Sequence, residues 1–440
     1  MVNKAAQSGA WSRGLRLGKL GFSLTGSYLG YQAQNLLLDR DQRAERQRRF
    51  QQQSSRRVRE ELGSLKGAVM KLGQLLSLQT HLLPETAIAE LANLQMSAPG
   101  MHPTLARAQF KASLGQDPEV AFREFDPEPF AAASLGQVHR AITRRGELVA
   151  VKIQYPAIRA AIQNDLKLLR SAALPGRLTG YLPTAIFDEV ERGFLEETDY
   201  IHEAHNIEFF AKGLARLHYV TVPNVHWPLT TDRVLTMSFV EGEPVGQFLK
   251  HQPAQAVRDR IGDHLVELYQ FQLHALKTLH ADHHPGNYLF RPDGSIGLID
   301  FGCVKRISFD SSDLVRCCVN RVWRRGDTQA RHLLSLVFGP KVLYARARKM
   351  LGAFETMMNI LYPEGPGAQV IVDFGKENLL KLLSQAMQQA VRDKLTNPEF
   401  AFISRAELGL YSLLGSLRSR VNVWEAWRRV ESGRAGEAPG

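Results

Sequence analysis

A chain of 440 residues has room for two or three lobes with an ample core, and its 44% hydrophobic and 22% charged residues are ordinary for a globular protein. Three cysteines, Cys303, Cys317 and Cys318, exclude a disulfide framework and fit a reducing compartment. The net charge of +11 is concentrated in residues 1–60, where twelve Lys/Arg face four Asp/Glu. That segment has no nucleic-acid module and no aromatics interleaved with its arginines. The pattern favours an anionic membrane surface over nucleic acid as the partner, with a simply solvated arm as the alternative.

Leu20 to Leu38 carries no charge, and two glycine pairs, Gly14/Gly18 and Gly26/Gly30, have the four-residue spacing that lets helices approach closely. Gln32, Gln34 and Asn35 make it a poor spanning helix, so an interfacial or self-associating helix is expected, with a homodimer as one outcome. The first acid is Asp39, which keeps an organellar transit peptide as an alternative. Leu62, Leu65, Val69, Leu72 and Leu76 step along one face of an amphipathic helix within a block running to about Leu94. HPTLARAQFKASLG predicts a short helix closed by Gly115.

From Val120 to Val240 the pattern changes. ELVAVKIQYP and DRVLTMSFVEG are short β-branched runs bounded by turn residues, hence strands. Asp188 to Leu214 reads as helix. PFAAASLGQVHRA followed by VAVK has the layout of a phosphate loop before a strand lysine, with alanines where glycines would stand. Laid on Gly-x-Gly-x-x-Gly-x-Val, the fixed positions fall on Ala131, Ala133, Gly136 and Val138, and Ala132 and Ser134 lie between them. Alanine resists φ > 0, so a stiffer loop is expected. Lys152 is the cation for the α/β-phosphates. The strand leaving through Met237, Phe239 and Val240 toward Gly242 is where an inter-lobe hinge would bond adenine.

HADHHPGN carries Asp282 and Asn287 at the two ends of one tight loop, turned by Pro285 and Gly286. Thirteen residues beyond Asn287 comes LIDFG with Asp300, after a hairpin turning through Arg291-Pro292-Asp293-Gly294. Phosphoryl transfer calls for a carboxylate facing the acceptor, and for a carboxamide and a second carboxylate holding Mg²⁺. Asp282, Asn287 and Asp300 supply them. His280, His283 and His284 raise zinc as a weaker alternative, with His280 read instead as a brace for the loop. After Gly242 the chain reads mostly helical, and Thr328 to Arg429 largely so.

PFAAASLGQVH, VAVK, EETDYIHEAHN, HADHHPGN and LIDFG stand in the order of the UbiB, or AarF, group of atypical kinases, and KLGQLLSLQ resembles that group's own N-terminal signature. The resemblance spans roughly residues 60–305. It implies an α+β, bilobal protein-kinase-like fold with an N-terminal helical extension packed over the cleft. It also implies bound ATP and Mg²⁺, with ATP hydrolysis rather than protein phosphorylation, in support of ubiquinone biosynthesis. By the same resemblance Lys71 and Gln74 lie over the pocket and Lys71 pairs with Glu197 or Asp199. Glu203 pairs with Lys152, Asp282 is the catalytic-loop acid, and Asn287 and Asp300 hold the metal. No Ala-Pro-Glu follows Asp300, consistent with a non-protein acceptor or none.

The expected organisation is a basic segment over 1–60, the family-specific helices over 61–117, and an N-lobe over 118–240. A mostly helical C-lobe over 241–430 and a tail over 431–440 complete it. The expected location is the cytoplasmic face of an inner membrane, peripherally held, or the matrix face in a mitochondrion. Quinone precursors and quinone-biosynthesis enzymes are the expected partners beside ATP/ADP. Two alternatives are a small-molecule phosphotransferase of the aminoglycoside or choline kinase type and a nucleotide-binding scaffold for a lipid-synthesis complex.

Overall fold

The computed structural model describes residues 101–133, 135–160, 163, 195–282, 284–312, 315, 317, 320–324, 326–339, 351–362, 371–392 and 398–433. The basic segment, the amphipathic block from Leu62, and Lys71, Gln74, Ser134 and His283 lie outside them. Two compact units divide the chain. The first takes the described residues up to Tyr200 together with Leu229–Thr236, and the second takes Ile201–Pro228 and the residues from Met237 onward.

The first unit opens with α1 (Pro103–Leu114). Pro103 pre-sets the first helical turn, the His102 ring accepts from Thr104 N, and Gly115 at φ 75° turns its N–H back to Lys111 O. A single turn, α2 (Pro118–Ala121), leads into β1 (Phe122–Phe125), β2 (Ala131–Ala133), β3 (Gly136–Thr143) and β4 (Leu148–Gln154). β1 and β2 both pair antiparallel with β3, one beyond the other along the same edge, and β3 pairs antiparallel with β4. The expected strand ELVAVKIQYP is β4.

Gln137, His139 and Ala141 of β3 and Val149, Val151 and Ile153 of β4 alternate onto one face of this sheet, as a period of two requires. There Val149, Val151 and Ile153 join Ala106 and Phe110 of α1 and Phe122 in one apolar core. The Phe110 and Phe122 rings lie 5.7 Å apart, and each buried phenyl contributes roughly 1.5–3 kcal/mol. Gln137 and His139 are the polar members of that face. Gln137 accepts from Met101 N at 2.7 Å and donates to His139 Nε2 at 2.8 Å, while His139 Nδ1 donates to Asp126 O at 2.9 Å. Burial holds the His139 ring below its ordinary pKa, which suits that neutral tautomer.

The helix read over Asp188 to Leu214 is broken in its described part. Residues 195–197 are helical, Thr198 and Asp199 are not, and α3 begins afresh as Tyr200–Gly213. The cause is local competition for backbone groups. Thr198 Oγ1 donates to Leu195 O, and the Thr198 carbonyl accepts from Gln154 Nε2 at 2.9 Å instead of from a helical amide.

β5 (Val220–Thr221) precedes β6 (Val234–Ser238), the strand expected from DRVLTMSFVEG, which lies beside β4. In the second unit α4 (Val245–Phe248) and α5 (Gln255–Gln270) follow, and a π-helical turn, Phe271–Ala275, carries α5 into β7 (Thr278–His280). The hairpin is β8 (Tyr288–Phe290) with β9 (Ile296–Leu298), joined by the turn expected: Gly294, at φ 88°, donates its N–H to Arg291 O. β9 also pairs parallel with β5, and β10 (Val304–Arg306) pairs antiparallel with β7. Beyond lie α6 (Thr328–Phe338), α7 (Leu351–Leu361), α8 (Leu379–Arg392), α9 (Pro398–Leu417) and α10 (Val423–Glu431). The largely helical reading thus needs one addition, a two-stranded pair of β11 (Val372–Asp373) with β12 (Arg420–Val421). Among the described residues no helix is long and apolar enough to cross a membrane.

Candidate functional site

The phosphate-loop expectation is corrected in one respect: Ala131, Ala132 and Ala133 are strand, not loop. They are β2, with Ala131 opposite Val138, Ala132 opposite Gln137 and Ala133 opposite Gly136. This pairing leaves only Ser134 and Leu135 between the strands, the shortest common hairpin connection. Directly opposed residues of an antiparallel pair point to the same side. Since Val138 faces Lys152 and Gly136 faces Gln154, Ala131, Ala133, Gly136, Val138 and Lys152 share the sheet face opposite the α1 core. The residues picked from spacing therefore do form one surface.

Gly136 is a glycine for a reason internal to the sheet. A Cβ there would lie 2.2 Å from Ile153 O and 2.9 Å from Ile153 C. Its φ is not in the left-handed region, so the requirement is close approach of two strands rather than special torsion.

Lys152 is buried, at 7% exposure, with its Nζ 5.0 Å from the centroid of the Tyr200 ring. A buried ammonium over an aromatic face keeps part of the electrostatic support it lost on leaving water. Two residues along the same face, Gln154 holds the Thr198 carbonyl. Glu197 and Asp199 flank Thr198, so the acid-rich segment is tied to the lysine face through its backbone. Asp199 precedes α3 rather than sitting inside it. Asp199 and Glu203, four residues apart in the helix expected over Asp188 to Leu214, accordingly do not share a helical face.

In the second unit, Asp282, Asn287 and Asp300 leave neighbouring strand ends. Asp282 follows β7, and Ala281 N donates to Cys303 O at 2.9 Å, closing the β7–β10 pair. A 3₁₀ turn, Pro285–Asn287, is capped by His284, whose ring accepts from Gly286 N. Asn287 N donates to His284 O, and Asn287 O accepts from Ile299 N at 3.2 Å, one residue before Asp300. Asn287 Nδ2 donates to Asp282 O at 3.1 Å. That bond fixes the carboxamide, with its nitrogen toward the loop and its Oδ1, the hard oxygen that Mg²⁺ prefers, turned the other way. Asp300 Oδ1 accepts from Gly302 N at 3.0 Å. This donor set fits a hard divalent ion.

His280 is fully buried and braces this loop. Its N–H goes to Gln272 Oε1 at 2.8 Å and its Nε2 donates to the carbonyl of Asp300. Its ring stands edge-on to Phe301 and Phe210, at centroid distances of 5.4 and 6.4 Å. The Tyr288 phenol is pushed well above its ordinary pKa by burial and then by the Asp282 charge. Among the described residues no three His, Cys, Asp or Glu are grouped to hold a metal, and His280 Nε2 and His284 Nδ1 serve the loop backbone.

Glu203, buried in the first turn of α3, accepts from Phe301 N at 3.4 Å. One turn on, Asn206 Nδ2 donates to Phe301 O at 3.0 Å. Sequence reasoning quoted this asparagine within EETDYIHEAHN and gave it no role; its signal was the three-residue step from Glu203. Of the residues expected to bond adenine, Met237 lies in β6 and bridges to Val225, and Phe239 and Val240 follow the strand end. Glu243 and Phe290 exchange backbone bonds of 3.0 and 2.8 Å, tying the segment after Val240 to the β8–β9 hairpin.

A chloroplastic protein of Arabidopsis thaliana named ACTIVITY OF BC1 COMPLEX KINASE 7 is 34% identical over 267 residues, 60% of this chain and 38% of its own. AarF domain-containing protein kinase 1 of Mus musculus is 34% identical over 256 residues, 57% of this chain and 49% of its own. This chain thus spans less than half the length of those two relatives. A solved structure of Rv3197 from Mycobacterium tuberculosis with erythromycin matches at TM-score 0.60 and 25% identity, over 90% of this chain and all of that one. The ABC1 atypical kinase-like domain matches residues 93–332, more than half of the sequence, and the chain belongs to that family.

Proposed function

We propose that this chain binds Mg²⁺ and ATP and hydrolyses ATP, or transfers its terminal phosphoryl group to a non-protein acceptor, at a membrane surface in isoprenoid-quinone biosynthesis. The observation that carries the reading is the joined placement of Asp282, Asn287 and Asp300, locked by the Asn287–Asp282 and Ile299–Asn287 bonds. Mg²⁺ held there would neutralise charge on the phosphates. This chain's own groups then have separate tasks. Asn287 and Asp300 offer the metal-binding oxygens, Lys152 offers a cation to the phosphates, and Asp282 accepts the proton of the attacking hydroxyl or water.

The membrane part of the proposal rests on the basic segment over 1–60 and on the chloroplastic relatives. An ATPase assay with and without cardiolipin-containing liposomes, on wild type and Asp300→Asn, tests both parts. Turnover that rises with liposomes and disappears in Asp300→Asn is expected. Mg-dependent turnover surviving in Asp300→Asn removes the catalytic assignment. Indifference to liposomes favours the small-molecule phosphotransferase reading, which gains some support from the relative solved with a bound macrolide.

A further inference from the structure

We infer that Asn206 is a positioning residue for the Asp300 carboxylate, acting through the peptide plane between Phe301 and Gly302. This deepens the proposed function and rests on its assignment of Asp300 to the metal. β9 ends at Leu298 and β10 begins at Val304, so residues 299–303 have no strand ladder of their own. Individual partners replace it. Ile299 N goes to Asn287 O, Asp300 O is met by His280, and Cys303 O accepts from Ala281 N. At Phe301, wholly buried, the partners are two side chains of one helix: Glu203 takes the N–H and Asn206 donates to the carbonyl.

The carbonyl of Phe301 and the N–H of Gly302 are the two ends of a single rigid peptide unit. Asn206 holds the first end, at 3.0 Å, and the second donates to Asp300 Oδ1, also at 3.0 Å. Rotation of that plane would withdraw the Gly302 N–H from Asp300 and free the carboxylate to turn. The Asn206 amide, sitting on α3, therefore sets which way the proposed metal ligand faces without touching metal or nucleotide. The chemistry accounts for the residue type. A carbonyl needs a donor at position 206, while the N–H needs an acceptor three residues earlier, so Asn and Glu cannot exchange places.

The test uses the full chain. Binding of ADP is followed by calorimetry as Mg²⁺ is titrated, and backbone amide exchange is read at Gly302. Asn206→Leu keeps the volume and loses the donor. It is expected to raise the Mg²⁺ midpoint about tenfold and to speed Gly302 exchange by a similar factor, the effect of leaving one buried carbonyl unmet. Affinity for ADP without Mg²⁺ should stay within about twofold of wild type, since the inference concerns the metal side alone. Asn206→Asp sets acceptor against acceptor and should shift the midpoint at least as far. A wild-type midpoint in Asn206→Leu, or a Gly302 amide already unprotected in the wild type, overturns the inference alone. A wild type that binds ADP with no Mg²⁺ dependence overturns the parent reading and this one with it.

Discussion

Gly136→Ala separates a glycine needed by a ligand from one needed by the fold. The new methyl would meet backbone, Ile153 O at 2.2 Å and Ile153 C at 2.9 Å, about 1 Å inside ordinary contact. Backbone cannot swing aside as a side chain can, so β3 and β4 must part where Gly136 faces Gln154. Overpacking of this kind costs about 1–3 kcal/mol, and a loosened ladder bond adds about 1 kcal/mol. A loss near 3 kcal/mol is expected, equivalent to a drop in Tm of roughly 6–12 °C for a domain of this size. Thermal unfolding followed by circular dichroism, with and without Mg-ADP, measures it. Ala133→Gly, directly opposite, is the control: it meets no such wall and should cost no more than about 1 kcal/mol. A Gly136→Ala protein that melts with the wild type yet fails to bind nucleotide would refute the packing argument and restore the glycine to the ligand.

Two further predictions concern the second unit. Burial pushes Glu407 up from 4.5 to about 7, against a smaller opposing effect of the Tyr269 hydroxyl that bonds it. The native state then keeps a proton that the unfolded chain has released, so stability falls as pH rises from about 4.5 to about 7, by up to about 3 kcal/mol. Glu407→Gln should remove that loss, matching wild type at pH 4 and exceeding it at pH 8 in urea titrations; an equal difference at both pH values would contradict the assignment. Arg429, 3% exposed, holds buried Glu267 at 2.9 Å and Asp263 at 2.6 Å, and Tyr219 donates to the same glutamate at 2.6 Å. Arg429→Ala strands buried carboxylates and should cost about 3–5 kcal/mol in the same titration; a cost under about 1 kcal/mol would show that α10 is not anchored this way.

The elements with strong local signals were legible. α1 was bounded by His102-Pro103 and Gly115, β4 by its valines, and the β8–β9 hairpin by Arg291-Pro292-Asp293-Gly294. The alanine stretch was not, because alanine has little strand preference and β2 exists only through pairing with β3, which no local pattern reports. The break at Thr198 depends on Gln154, 44 residues away, and an acid-rich run of good helix formers hides it. β11 and β12 are two residues each, too short to show alternation. At the candidate site, residue types and spacing picked out Asp282, Asn287 and Asp300, whose loop is local. His280, expected as a brace for the loop, holds Asp300 through its ring, whereas the role of the Asn206 amide depends on α3 meeting the β9–β10 connection, which no local pattern reports.

The central proposal is that the chain binds nucleotide with Mg²⁺, Asp300 contributing through the metal and Lys152 through the phosphates. Calorimetric binding of ATP in the presence and absence of Mg²⁺, on wild type, Asp300→Asn and Lys152→Ala, tests it most directly. The account predicts Mg-dependent binding in the wild type, loss of the Mg²⁺ dependence in Asp300→Asn, and weakened binding with and without metal in Lys152→Ala. Wild-type affinity that ignores Mg²⁺, or both variants binding as the wild type does, would contradict it.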